Sequence, residues 1–311
     1  MNIFSKGILC LMISPLFLAG QATVHTPQHQ SINENEIKHS FFIAGPNFTG
    51  IIGENGEEIW DSGKKSARDG YVLGNGNILI CWADEVREYN KKKKVIFTYT
   101  RAEKSMELGT ALRLSNGNTM ITESGSDPRI IEVSKVVNSV PLKPETDNVH
   151  MQTRMARKLS NGHYLVPHLL AFAVKEYQPD GKVVNVFNTD LEDLGGREAE
   201  NWPFTAIRLD NGNTLVTLTH GNKVVEFDSN GKVVWKVTNS DLQEAPFVDP
   251  CGAQRLPNGN TVIASYGAQK GIKLFELAPD KSMVWNYKGH RVHHFQILTT
   301  NGRPINGTPL K

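Results

Sequence analysis

RLDNGNTLVTL, residues 208–218, is a phrase that the chain repeats. LGNGNILI stands at 73–80, LSNGNTMI at 114–121, LSNGHYLV at 159–166 and LPNGNTVI at 256–263, and a degraded copy, LTTNGRPI, closes the series at 298–305. The Asn of each Asn-Gly anchors a copy: Asn75, Asn116, Asn161, Asn211, Asn258 and Asn301. The anchors recur at spacings of roughly 40–50 residues, the period of a β-propeller blade. A helical repeat of that length would need apolar residues at helical spacing, and none appear. Each copy reads as four strands. In the copy anchored on Asn211, Phe204–Leu209 is strand a, Thr214–Thr219 strand b, Lys223–Phe227 strand c and Lys232–Val237 strand d. Asn-Gly between strands a and b favours the two-residue hairpin turn with positive φ at both central positions.

The ends of the repeat set the blade count. HSFFIAG and TGIIGENGEEIW, near the start, supply strands b, c and d without an a, while VHHFQILTTNG, near the end, supplies an a with nothing to pair it. Joined, they make one blade and close a ring without exposed sheet edges. The expectation is an all-β chain: a six-bladed β-propeller over 39–311, four antiparallel strands per blade, about 45 residues each.

Two columns qualify the packing. Five positions before the anchors stand Gly70, Ala111, Ala156, Ala206, Ala253 and Gln296, of which all but Gln296 are small residues suited to the crowded innermost strand. Three positions before them stand Val72, Arg113, Lys158, Arg208, Arg255 and Leu298, while strand c carries Glu88, Glu132, Glu176, Glu226 and Glu276. These read as repeated, partly buried ion pairs that fix blade packing.

Outside the repeat, MNIFSKGILCLMISPLFLAGQA (1–22) has a basic residue, an apolar run and small residues in the order of a secretory signal peptide, followed by a linker over 23–38. The run is too short to span a bilayer. The mature chain is therefore expected in the periplasm or secreted, with Cys81 and Cys251 as separate thiols. A formal net charge of +2 over 311 residues argues against nucleic acid as a partner. The expected partner is a small molecule or glycan, with no membrane span and the chain as a monomer.

In a propeller the a–b and c–d turns lie on one face, and the d–a connections and b–c loops on the other. The first face is built of Asn-Gly and Lys-rich turns. The second gathers the chemically capable residues. Its d–a side holds Arg68, Asp69, Arg154, Trp202, Asp249, His293 and His294; its b–c side holds Trp82, Glu123, His168, His220 and Tyr266. A small polar ligand, a glycan fragment or an anionic metabolite, is expected at that channel mouth. His168, His220, His293 and His294 are the candidate acid, base or nucleophilic groups. Arg68 and Arg154 are candidate anion holders, Trp82, Trp202 and Tyr266 candidate ring walls, and Asp69, Glu123 and Asp249 further ligand contacts. The cofactor is open; a divalent metal at the mouth would need histidines from several blades. His293 and His294 are adjacent on a strand, so only one of them can face a given ligand. The rival reading is a non-catalytic protein-binding scaffold, with exposed apolar loops and a plugged channel.

The recurring L-x-NGN-T-L/V-I/V followed by G-K-V-V-W resembles bacterial propellers of the pyrroloquinoline-quinone-like repeat and arylsulfotransferase type. The resemblance implies a six-bladed periplasmic fold and, for arylsulfotransferases, sulfate transfer between phenols through a histidine. His293-His294-Phe295 stands where some of those enzymes carry His-His-Asp. A carbohydrate-active hydrolase or lyase is the other enzymatic expectation.

Overall fold

The computed structural model describes residues 36–133 and 138–311. The signal-peptide expectation over 1–22 and most of the 23–38 linker lie outside the described residues. The rest forms six antiparallel sheets arranged as a closed propeller. Blade 1 takes strands b, c and d from His39–Ala44, Thr49–Ile52 and Glu58–Asp61, and strand a from His294–Thr300. Strand a pairs antiparallel with His39–Ala44, so the two distant segments close the ring. Blades 2 to 6 run from Asp69 to Thr100, Glu107 to Pro141, Arg157 to Asn188, Asn201 to Thr238 and Pro250 to Tyr287. Each of these has four strands. Blade 1 has a fifth, the two-residue strand Arg303–Pro304, hairpinned onto its strand a.

The repeated phrase is a hairpin, but mostly of another type than expected. Only Asn301-Gly302 has both residues at positive φ (49° and 74°) in a two-residue loop. In the other five copies Gly alone is left-handed, at φ 80–88°. Gly212 N donates to Leu209 O (2.9 Å) and Leu209 N to Asn213 O (2.8 Å), which makes a three-residue loop ending in a left-handed glycine. The reason is the Asn side chain. Oδ1 of Asn75, Asn116, Asn161, Asn211 and Asn258 each accepts the backbone N–H two residues on, at 2.9–3.0 Å. That local bond holds Asn in the ordinary φ range and leaves the left-handed turn to Gly.

The second asparagine of Asn-Gly-Asn bonds as well. Asn77, Asn213 and Asn260 Nδ2 donate to Glu88, Glu226 and Glu276 at 2.6–2.7 Å. The same glutamates receive the basic column, across blades rather than within one. Arg208 pairs with Glu176 of the preceding blade at 2.8 Å and Arg255 with Glu226 at 2.9 Å; Arg113–Glu88 and Lys158–Glu132 repeat the pattern. At the ring closure, where Leu298 replaces the base, His39 Nε2 meets Glu276 at 2.7 Å. Each acid thus stitches strand c of one blade to a neighbour.

The core follows the same logic. Six apolar clusters lie between successive blades, for example Phe41, Ile43, Phe295 and Ile297 of blade 1 against Val262 and Leu274 of blade 6. Large exposed apolar residues are mainly on the outermost strands: Ile59, Ile96, Val184, Val234 and Val284. Cys81 and Cys251 are free and buried. Among the described residues no helix is long and apolar enough to cross a membrane.

The axis is filled. Beyond Pro304 the chain turns inward, Arg255 N donates to Leu310 O (2.9 Å), and Lys311 is buried on the axis. Its ammonium donates to Gly70 O (2.8 Å) and lies 3.7 Å from the Tyr71 ring centroid. Asp69 Oδ1 is 3.4 Å from both Lys311 Nζ and His294 Nδ1, and Asp69 Oδ2 is 3.1 Å from Arg157 Nη1. The Thr110 hydroxyl donates to Asp69 as well. Burial alone would raise the Asp69 carboxyl, but Arg157 and Lys311 together hold it well below the carboxylate range. Burial brings the Lys311 ammonium down to about 7.

Candidate functional site

Above that filled axis, on the face of the d–a connections and b–c loops, is a cavity of about 460 Å³. All six blades or their connections contribute, from Pro46 and Ala83 in b–c loops to Arg68 and His293 in d–a connections. Its wall includes a small apolar cluster, Met155, Phe204 and Cys251, with Tyr266 packed against it.

Arg154 is the site's most unusual group. Its side chain lines the cavity with the residue only 8 % exposed. The guanidinium donates to the Thr153 and His150 carbonyls and lies 5.5 Å from the Phe204 ring centroid. No carboxylate among the described residues pairs with it. Burial, with Arg68 nearby, lowers its pKa to about 10. A buried cation without a counter-charge is costly unless something anionic completes it.

Arg68 stands beside it in a different state. Its Nη2 meets Glu107 Oε2 at 2.7 Å, and Nη1 donates to Leu108 O at 3.0 Å. Glu107 also accepts from His150 Nδ1 at 3.3 Å. The His150 bond and Arg68 outweigh burial and hold the Glu107 carboxyl down to about 2.

His293 and His294 face opposite sides, as strand alternation requires. His293 lines the cavity, and His294 is buried in the axial cluster. His293 Nδ1 is 2.8 Å from the Arg68 carbonyl oxygen, which can only accept, so Nδ1 carries the proton and Nε2 the lone pair. Phe204 and Tyr266, near-perpendicular to the imidazole with centroids at 5.0 and 5.1 Å, clamp the ring. Burial, reinforced by Arg68 and Arg154, brings its pKa down to about 4, so the imidazole is neutral near pH 7. Gly252 makes the placement possible: its N–H donates to His293 O (3.0 Å), and a Cβ there would meet His294 Cα at 3.1 Å.

His220 is exposed at the rim. It stacks on Trp202 at 4.2 Å, and its Nδ1 is 3.4 Å from Glu200. Asp249 Oδ1 accepts the His220 backbone N–H at 3.2 Å. His220, Asp249 and Glu200 all hold left-handed φ, 53°, 47° and 47°, a conformation that costs non-glycine residues roughly 1 kcal/mol or more each. Three of the ten non-glycine residues at positive φ among the described residues therefore stand together at this rim.

Of the sequence candidates, the cavity brings together Arg68, Arg154, Trp202, His220, Asp249, Tyr266 and His293. Five stand elsewhere. Asp69 and His294 belong to the axial cluster. His168 is buried, with Nε2 2.8 Å from the Tyr177 hydroxyl and Nδ1 3.2 Å from Glu145. Glu123 is buried, bound to Tyr99 and Arg129. Trp82 is buried with Lys64 4.9 Å from its ring centroid. Their side chains point into the sheet stack, because strand residues alternate sides and loop position alone does not say which. Phe204, Met151 and Met155 line the cavity without a sequence signal: they read as ordinary strand or loop apolars. His150 is signalled only by its d–a position. Among the described residues no group of three or more His, Cys, Asp or Glu is placed to hold a metal ion. The channel is plugged, as the scaffold reading expects, but the plug leaves this cavity open.

The two neutral histidines fix an acid response. In the unfolded chain each would protonate near 6.5, whereas in the fold burial brings His293 down to about 4 and holds His294 well below its ordinary value. The unfolded state then binds more protons as pH falls below 6.5, so stability drops progressively between pH 6.5 and 4. Denaturant unfolding at pH 7, 5.5 and 4 is expected to show a loss on the order of 2 kcal/mol over that window, reduced in a His294→Gln variant. A flat profile above pH 4.5 would contradict the neutral assignment.

Comparison with known proteins fits this architecture. The family model described as Mal s 1 allergenic protein-like matches residues 35–257. No curated protein matches the chain. Among solved structures, a protein of unknown function from Bacteroides caccae superposes with TM-score 0.72 at 20 % identity, over 83 % of this chain and 98 % of that one. A catalytically inactive virginiamycin B lyase from Staphylococcus aureus, solved with quinupristin, gives 0.58 at 12 % identity over 86 % and 94 %. A luciferin-regenerating enzyme gives 0.56 at 11 % identity over 87 % and 94 %. At these identities the likeness is one of fold.

Proposed function

We propose that this chain, which belongs to the Mal s 1 allergenic protein-like family, is an exported propeller that binds a small organic anion with an apolar or aromatic body in the loop-side cavity. The observation that carries this reading is Arg154, a guanidinium buried in the cavity wall whose hydrogen-bond partners among the described residues are carbonyls alone. An incoming carboxylate or similar anion would supply the missing charge and accept charge-assisted hydrogen bonds. Arg68 adds positive potential, although its own charge is already matched by Glu107. The cavity that Arg154 lines is also lined by Phe204, Tyr266, Met151 and Met155, which suit an apolar or aromatic body better than the polar rim of a sugar. Trp202, the obvious sugar platform, already has His220 stacked on it at 4.2 Å. Of the two ligand classes read from the sequence, the anionic metabolite is favoured over the glycan fragment. Export rests on the character of residues 1–22. Turnover at this site would use His293, which lines the same cavity and keeps Nε2 unprotonated.

A thermal-shift comparison of benzoate, benzamide and glucose at equal concentrations tests the reading. Benzoate should raise the melting temperature by several degrees at concentrations well above its Kd, with benzamide and glucose near zero. Equal shifts with benzoate and benzamide, or a response to glucose alone, would overturn it.

A further inference from the structure

The anion reading leaves a second recognition element unused, the unpaired lone pair of His293. We infer that the ligand of this cavity carries an O–H or N–H donor on its ring in addition to its anionic group, and that His293 Nε2 accepts from that donor while Arg154 holds the anion. The inference rests on the anion reading and adds a substrate class to it: hydroxy- or amino-substituted aromatic acids.

Geometry carries the argument. The Arg68 carbonyl fixes the His293 tautomer, because an oxygen with no hydrogen forces the proton onto Nδ1. Nε2 is then an acceptor, and among the described residues it has no donor partner. The perpendicular rings of Phe204 and Tyr266 leave the imidazole little freedom to turn away. Arg154 and His293 flank one reference group, the Phe204 ring. The guanidinium carbon is 5.5 Å and the imidazole centroid 5.0 Å from its centroid, so the two are at most about 10.5 Å apart. That limit puts both groups within reach of one ligand that carries an anion and a donor on a single six-membered ring. The neutral state of His293 at pH 7 supports this, since an imidazolium has no lone pair to offer. A site built to accept a hydrogen bond rejects the analogue that lacks the donor, because the buried acceptor is then left unsatisfied.

The experiment is calorimetric titration of the full chain with benzoate, 3-hydroxybenzoate and 3-methoxybenzoate at pH 7.5. The methoxy compound keeps the size and the ring oxygen but has no donor. The expected result is at least tenfold tighter binding of 3-hydroxybenzoate than of 3-methoxybenzoate, and a ratio near one in His293→Phe. If the hydroxy and methoxy acids bind the unaltered protein equally while benzoate also binds, the donor inference fails and the anion reading stands. If none of the three binds, both fail. Should His293→Phe not fold, the 15N shift of His293 Nε2 in the unaltered protein decides the matter. It should move with the hydroxy acid and stay put with the methoxy acid; equal movement with both overturns the inference.

Discussion

Arg154→Met should lower affinity for benzoate at least hundredfold while leaving the propeller folded. The guanidinium is the one buried cation in the cavity without a carboxylate, so an anionic ligand would be its only full-charge partner among the groups described here. Losing a buried charge-assisted contact costs about 2–5 kcal/mol, and each 1.4 kcal/mol is tenfold in affinity. Methionine retains most of the volume lying over Phe204. Replacing an uncompensated buried charge with an apolar side chain removes a desolvation cost, which offsets the lost bonds to the Thr153 and His150 carbonyls. The expected change in folding free energy is within about 1 kcal/mol. Calorimetry and urea unfolding of the same variant separate the possibilities. A variant that binds benzoate normally sinks the anion site. One that loses several kcal/mol of stability shows that Arg154 is a structural clamp.

Asp69→Asn should have the reverse signature, a large loss of stability from a residue outside the cavity. Asp69 is fully buried and is the only side-chain carboxylate among the described groups in contact with Arg157 and Lys311. Asparagine keeps the shape and removes the charge. Breaking a buried pair by removing one partner costs about 3–5 kcal/mol, since the remaining charge is stranded. Lys311 can relieve part of that by losing its proton, because burial has already brought it to about 7. The deficit should therefore be larger at pH 6 than at pH 9, where a neutral Lys311 no longer needs an anion. Denaturant unfolding at both pH values checks this. A loss below 1 kcal/mol at pH 6 would mean that the axial cluster is not held by Asp69.

The pairing of Arg208 with Glu176 illustrates how far the linear pattern reaches. A base before each anchor and an acid on each strand c announce ion pairs, yet the partner of each base lies one blade back. Sequence period specifies that the columns exist; the ring decides which members meet. The Asn-Gly turns make the same point at closer range. Hairpins were legible at every anchor, but five of them take a three-residue loop because the Asn side chain satisfies its own turn. The site divides similarly. The d–a and b–c segments were identifiable from strand order, and the cavity is lined from them. His168, Glu123 and Trp82 come from those same segments and point into packed interior instead. His293 and His294 differ by one residue and end on opposite sides of the cavity floor.

By itself the sequence determined the fold: a recurring turn with a period of one blade, and two half-blades that complete each other. These are local signals, and local chemistry suffices to write them. What the tertiary structure alone decided is which side chains share a space. Arg154 lacks a counter-charge, His293 holds its proton on Nδ1, and Lys311 fills the axis, because segments up to hundreds of residues apart are brought within a few ångströms. Burial and contact of that kind are properties of the closed ring, and no stretch of the chain carries them.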